Sequence, residues 1–275
     1  MTGDAPEVAP GFATADLTCD AYLGGRLRLW QPLRGYRAAI DPALLAAFAP
    51  AEAGMRALDL GCGAGAAALC LAARTPGLDL HGLERRPEYL DLARRNAAEN
   101  GLALAVHAGD VLRPPADLRA TPFDLVVMNP PFHPAGGSAA PDAGRDAANR
   151  EQGREQVRGP GAAETAVGDW IAAGLRRLRP GGAIAVVHLP GRLAAILAAL
   201  EGPAGAIEIL PVAPREGRPA SRVLVRARKG RRAALILHAP LVLHEGAAHD
   251  ADRDSYTPRA AAALRGESAL GGDAR

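Results

Sequence analysis

The sequence predicts an α/β protein built on one doubly wound, mostly parallel sheet with helices on both faces. Three observations predict it. From Met55 onward, short apolar runs of strand length alternate with longer helical runs, the pattern of repeated βαβ units. The first apolar run ends in a glycine-rich turn, Gly61-Cys62-Gly63-Ala64-Gly65, that opens a helix. Glu84, Asp110 and Asn129 each stand at the end of a successive run, and carboxyl ends of strands are where open sheets of this kind bind ligands.

In chain order, residues 1–20 read as a disordered tail. Arg26–Trp30 and Tyr36–Ile40 are alternating runs joined by a Pro-Leu-Arg-Gly turn, which predicts a hairpin. Asp41-Pro42 opens a helix through Phe48, with Asp41 as N-cap and proline at the first helical position. Seven strands then follow at 55–60, 78–83, 104–108, 123–128, 183–188, 207–212 and 223–227. Helices are expected at 64–73, 87–100, 164–178 and 192–200, with a turn at Arg179–Gly182. Right-handed crossovers place the helices on both faces. His133 to Ala162 breaks the rhythm with Gly, Ala, Pro and Arg, and reads as a flexible loop, which at that length inside a domain is functional or disordered. The runs at 235–238 and 241–244 and a short helix after Ser255 extend the same sheet. The domain reading is a single unit over 21–275, with an N-terminal extension at 21–50 and a C-terminal one at 230–275.

The bulk properties are compatible with this and exclude several classes. At 275 residues and 48% hydrophobic, the chain buries a sizeable core. Three cysteines, Cys19, Cys62 and Cys70, suit neither a disulfide framework nor a zinc site. No metal is expected. No apolar run approaches the roughly 20 residues of a membrane span, and Met1–Ala15 lacks the apolar core of a signal peptide, so a cytoplasmic protein without membrane contact is expected. A net charge of +2 neither demands nor excludes a nucleic-acid partner, and oligomeric state has no sequence signal.

Chemistry concentrates at Asn129-Pro130-Pro131-Phe132. Two consecutive prolines lock the backbone where the 123–128 strand ends. The Asn129 side-chain oxygen and the Pro130 carbonyl form a pair that accepts both hydrogens of a planar –NH2 group, and the Phe132 ring can cover the flat group carrying that amine. Alone, the tetrapeptide reads as a rigid strand exit. Its neighbours shift the balance. Glycines at 61, 63 and 65 let a ligand approach the backbone closely, and Asp59 beside them suits an ammonium or sulfonium more than a pyrophosphate. Glu84 is placed to accept from a ribose diol, and Asp110 from an adenine amino group. Each acid alone is a plausible helix cap or turn residue. Together they line one crevice.

Leu58–Gly65, Glu84, Asp110 and Asn129–Phe132 resemble the motifs of a class I S-adenosylmethionine-dependent methyltransferase with an Asn-Pro-Pro-aromatic catalytic motif. Leu23–Gln31, Gly35–Arg37 with Asp41, and Gly217–Val225 resemble, more narrowly, the bacterial tRNA(Val) adenine-N6 methyltransferase family. Phe132 departs from the tyrosine common among tRNA-modifying members. The resemblance runs from about Asp20 to Leu270. It implies a Rossmann-like class I methyltransferase fold, S-adenosyl-L-methionine as cofactor, and tRNA as partner. It further implies cofactor contacts from Tyr36, Asp41, Asp59, Gly61, Cys62, Gly63, Gly65, Glu84, Asp110 and Asn129, and catalysis by Asn129, Pro130, Pro131 and Phe132. Glutamine-N5 methylation of a release factor uses the same chemistry, although that group carries a larger N-terminal helical domain. Guanine-N2 methylation of ribosomal RNA, small-molecule N-methylation and a catalytically silent cofactor- or RNA-binding protein complete the alternatives.

Candidate substrate contacts are His133, Arg218, Arg222 and Arg226. Eight cations crowd between Arg215 and Arg232, opposed only by Glu216. On a strand at 223–227, Arg222, Arg226 and Arg228 share one face, either a phosphate-tracking stripe or a charge-protected edge. Arg145, Arg150, Arg154 and Arg158 in the long loop are read as a solvated loop or an RNA-ordered lid. Histidines 81, 107, 188, 238 and 244, and Trp30 and Trp170, are read as structural.

Overall fold

The computed structural model describes residues 11–132, 167–246 and 255–271. Strands β3 (Arg56–Leu60), β4 (Asp79–Glu84), β5 (Ala105–Ala108), β6 (Phe123–Met128) and β7 (Leu178–His188) run parallel, followed by β8 (Ala204–Ala213) and β9 (Arg222–Lys229). Two-residue strands β10 (Ile236–Leu237) and β11 (Leu241–Val242) extend the seven to a nine-stranded sheet. Its order is β10-β8-β9-β7-β6-β3-β4-β5, with β11 also on β8. Because β9 pairs antiparallel with both β7 and β8, and β10 and β11 run parallel to β8, β9 alone opposes the common direction among the described strands.

The topology places the site. The chain moves outward from β3 through β4 to β5, then returns to β6 on the other flank of β3. That reversal opens a crevice beyond the carboxyl ends of β3 and β6.

Side chains alternate across the sheet as the period of two requires. Ala57, Leu125 and Val127 face α1 (Asp41–Phe48) and α2 (Ala66–Arg74), while Leu58, Leu60, Val126 and Met128 face α5 (Val167–Arg177) and α6 (Leu193–Leu200). Leu44, Leu45 and Phe48 are fully buried on the first face, each contributing about 1.5–3 kcal/mol. Helices α3 (Pro87–Glu99), α4 (Ala116–Ala120) and α7 (Pro258–Leu264) complete the layers.

Four expectations need correction. The hairpin is real but uses other residues: β1 (Leu17–Tyr22) pairs with β2 (Leu27–Pro32), so the tail expected over 1–20 overlaps a strand. The tight turn at Leu23–Gly25, with Gly24 and Gly25 at positive φ, closes this hairpin. Tyr36–Ile40 forms no strand, and Gln31 satisfies the backbone there by accepting from Ala38 N–H at 2.7 Å. Asp41 is not the N-cap of α1; Ile40 holds that position and Asp41 turns its carboxylate to Arg222 instead. The turn expected at 179–182 is absorbed into β7 as an irregularity in its pairing with β6, with Gly181 at positive φ. The loop expected at 133–162 lies outside the described residues, as does His133.

Two helix asparagines hold the hairpin down. Asn96 Oδ1 accepts from Trp30 N–H at 2.7 Å, and its Nδ2 donates to Trp30 O and to Ala64 O. Asn100 repeats the pattern against Arg28 one turn later. Thus α3 supplies the free edge of β2 with a substitute partner, and ties it to the glycine-rich loop. His81 and His107 stack on one another and lie between Asp79 and Asp117, a structural chain at the far side of β4 and β5.

Candidate functional site

Gly61 and Asn129 leave the sheet side by side, because Leu60 and Met128 are paired in register. The loop after β3 is folded back on its neighbour strand: Gly61 and Cys62 both donate to Leu83 O, at 2.8 and 3.0 Å. Gly61, Gly63 and Gly65 all have positive φ, which side-chain-bearing residues rarely adopt. Above Gly61 lies the Trp170 ring from α5; a Cβ at position 61 would stand 2.5 Å from Trp170 Cη2. Trp170, expected to be structural, has no local sequence signal of this contact, since α5 follows β6 across a long intervening segment.

Asp59 and Glu84 organise the loop from beneath. Asp59 is buried and accepts from Ala68 N–H in the first turn of α2, at 3.1 Å. Burial, opposed by that hydrogen bond and helped by the nearby Glu84 charge, pushes its pKa up to about 7. Glu84 accepts from Gly63 N–H at 3.0 Å, and from the Arg85 and Arg86 N–H groups and Arg86 Nε. Three of these contacts fall on Oε1 and one on Oε2, which leaves Oε2 able to accept a further hydrogen bond. Cys62 is buried against Gly82, with its thiol pushed well above the ordinary range by burial and by Asp59. Asp110 closes a turn by accepting from Leu112 N–H at 2.8 Å.

The Asn129 carboxamide is divided. Its Nδ2 donates to Tyr36 Oη at 3.1 Å, whereas Oδ1 is buried with no hydrogen-bond partner among the described residues. Tyr36 arrives from the N-terminal extension with its ring along Gly63, and its backbone N–H and carbonyl are both bonded to Tyr89 Oη. Burial, then Asp41 and Asp59, raise the Tyr36 hydroxyl far above the usual phenol range, so it stays protonated. Pro130 is buried and Pro131 exposed. The Phe132 ring leans on His188 at 5.2 Å between centroids, with the Arg222 guanidinium 4.9 Å from its centroid. Arg222 in turn pairs with Asp41 at 3.2 Å. Tyr36 and Asp41, implied as cofactor contacts, thus reach the two sides of the Asn129–Phe132 motif.

Three comparisons bear on this site. The family model for methyltransferase small domains matches residues 38–146. The tRNA1(Val) (adenine(37)-N6)-methyltransferase of Aeromonas hydrophila is 33% identical over 197 residues, 69% of this chain and 75% of that protein. A predicted O-methyltransferase of Agrobacterium tumefaciens, known by crystal structure, superposes with a TM-score of 0.65 at 30% identity, over 85% of this chain and 99% of that one. This chain belongs to the S-adenosylmethionine-dependent methyltransferases. A release factor glutamine methyltransferase of Geobacter sulfurreducens is 39% identical, but over 77 residues only, 26% of its length.

The basic stretch of this methyltransferase divides in a way the sequence reading did not foresee. β9 is an interior strand, so it is no edge; Arg222, Arg226 and Arg228 do alternate onto the face opposite Val223, Val225 and Ala227, but that face packs against α1 and is no open stripe. Arg226 is turned inward: Nε and one terminal nitrogen bind both Glu208 oxygens at 2.9 and 2.8 Å, and the other nitrogen donates to Phe48 O. His238 shares the same carboxylate. Arg226 therefore leaves the candidate substrate set. Lys229 donates to Leu178 O, and buried Arg215 donates to Glu245 O and Gly246 O. Arg218 is exposed in the β8–β9 connection, and Arg222 stands at the motif. Among the described residues no group of three or more His, Cys, Asp or Glu side chains could hold a metal, and no helix is long and apolar enough to cross a membrane.

Proposed function

We propose that this methyltransferase transfers the methyl group of S-adenosyl-L-methionine to the exocyclic N6 of an adenine in tRNA. The observation that carries the reading is the buried, unpartnered Asn129 Oδ1. A buried acceptor without a donor costs about 1–3 kcal/mol, and an incoming amino group relieves that cost. Such an atom, held beside the glycine-rich loop, fits an enzyme that receives an N–H at this point and a positively charged donor next to it.

The methyl donor supplies an activated carbon on a positively charged sulfur. The chain's own residues do the positioning. Asn129 Oδ1 and the Pro130 carbonyl accept the two hydrogens of the amine, favouring a nitrogen whose lone pair points away from the ring and towards the methyl carbon. With the donor bound, that lone pair would take the methyl group while the S–C bonding pair stayed on sulfur. The nitrogen, now cationic, loses a proton to water, so no strong general base is needed. Phe132, braced by His188 and Arg222, stacks on the base. The adenine must be splayed from its RNA stack to arrive there.

Around the donor, the Gly61, Cys62, Gly63 and Gly65 backbone forms the cradle, and Asp59 favours its positive charge. Glu84 takes the ribose diol by exchanging the long 3.3 Å contact from Arg86 Nε, and Asp110 takes the adenine amino group. Arg218 and Arg222 are the remaining candidates for tRNA phosphate contact, with His133.

The Aeromonas likeness extends over most of both chains and favours tRNA. The Geobacter likeness is confined to a short stretch, so release factor is the comparison substrate. The test is in vitro methylation with labelled donor, offering unmodified tRNA, ribosomal RNA and release factor in parallel. Labelled N6-methyladenosine in tRNA alone is expected. Label in the release factor or in a guanine would replace the acceptor assignment.

A further inference from the structure

We infer that Tyr36 is a positioning residue for methyl transfer, whose hydroxyl holds the Asn129 carboxamide so that Oδ1 faces the incoming amine. The inference rests on reading Asn129 as the amine acceptor. An asparagine carboxamide turns about a soft terminal torsion, and its two ends are nearly equal in size. Only one orientation serves an –NH2 substrate, because the other sets N–H donors against N–H donors.

The structure shows what restrains that torsion. Nδ2 is anchored at 3.1 Å on Tyr36 Oη, while Oδ1 has no partner among the described residues. A hydroxyl both donates and accepts, so its own hydrogen must point elsewhere if it is to receive Nδ2. Burial first, then Asp41 and Asp59, keep the Tyr36 hydroxyl protonated, and a neutral hydroxyl oxygen retains lone pairs that receive Nδ2. Tyr36 is itself fixed. Tyr89 Oη bonds both its N–H and its carbonyl, and Gly63 lies against its ring. The N-terminal extension therefore carries positional information from the glycine-rich loop to the catalytic asparagine.

The test separates this role from general packing. The full chain is labelled with 15N-asparagine; it has four asparagines, and the Asn129 side-chain signal is identified by its loss in Asn129→Ala. Tyr36→Phe keeps the ring and deletes only the hydroxyl. It is expected to shift the Asn129 NH2 resonances, leave those of Asn96 and Asn100 in place, and lower kcat by ~10-fold or more. S-adenosyl-L-methionine affinity and Tm should stay near wild type. An unmoved Asn129 signal overturns the inference, as does a moved signal with unchanged kcat. A fall in kcat matched by equal losses of cofactor affinity and Tm overturns it too. Failure of the tRNA reading shows separately, as a wild-type chain that leaves tRNA unmethylated while the Asn129 signal still responds to Tyr36→Phe.

Discussion

Leu60 of β3 and Met128 of β6 are register partners, and this pairing sets the distance between the glycine-rich loop and Asn129. Both residues are buried at 1% exposure or less, so the spacing is fixed by the core and not by loop geometry. Asn129→Ala should therefore remove an acceptor without disturbing the loop. The expected result is a fall in kcat of ~10²–10³-fold with donor affinity nearly unchanged, the scale seen when one preorganised catalytic hydrogen-bonding group is lost. Isothermal titration with the donor, beside single-turnover methylation, checks both halves. Loss of donor binding as well would place Asn129 in the cofactor cradle.

Gly61→Ala is expected to be costly for two reasons acting together. Position 61 has φ +70°, and its new Cβ would meet the Trp170 ring at 2.5 Å. Left-handed strain and the steric clash should destabilise the fold by about 1–3 kcal/mol. Adding Trp170→Leu should recover part of the loss by clearing the ring, leaving the backbone strain. Thermal denaturation of the single and double variants measures this, and no recovery would mean that Trp170 is not the obstacle.

Asp59 makes stability depend on pH with an unusual sign. Burial raises its folded-state pKa to about 7, above the usual 3.8. Between these values the folded chain binds more protons than the unfolded chain, so the Asp59 contribution falls as pH rises through the window. Asp59→Asn removes the effect. The Tm of the variant should gain on wild type from about pH 4 to about pH 7 and stay level above it. A difference independent of pH would show that the carboxylate is ionised throughout.

Arg226 and Arg218 should separate cleanly. Arg226→Ala leaves Glu208 buried beside His238 without its bidentate partner, and is expected to cost about 3–5 kcal/mol in urea denaturation while the folded fraction binds tRNA normally. Arg218→Ala, on an exposed connection, should leave stability alone and reduce the salt dependence of tRNA binding by about one phosphate contact. Salt-titrated filter binding checks the pair, and a weaker salt slope in Arg226→Ala would restore that residue to the substrate surface.

Much of the sheet was legible because buried parallel strands announce themselves. Phe123–Met128 is apolar but for Asp124 and emerged at its expected bounds. The acids and glycines at strand ends followed from the same alternation. What escaped was set by contacts between distant residues. Arg226 reads as a surface cation until Glu208 and His238 are placed on the adjoining strands β8 and next to β10. Tyr36–Ile40 alternates and so reads as the partner of Arg26–Trp30, whereas the glycine turn at 24–25 brings Leu17–Tyr22, inside the stretch read as a tail, against β2. Trp170 over Gly61 and Tyr36 against Asn129 have no periodicity that could reveal them.

The most direct test of the central claim is nucleoside mass spectrometry of bulk tRNA from cells with and without the gene. The account predicts that N6-methyladenosine in tRNA disappears on deletion, returns with the wild-type chain, and stays absent with Asn129→Ala. Unchanged N6-methyladenosine in tRNA from the deletion strain would contradict it.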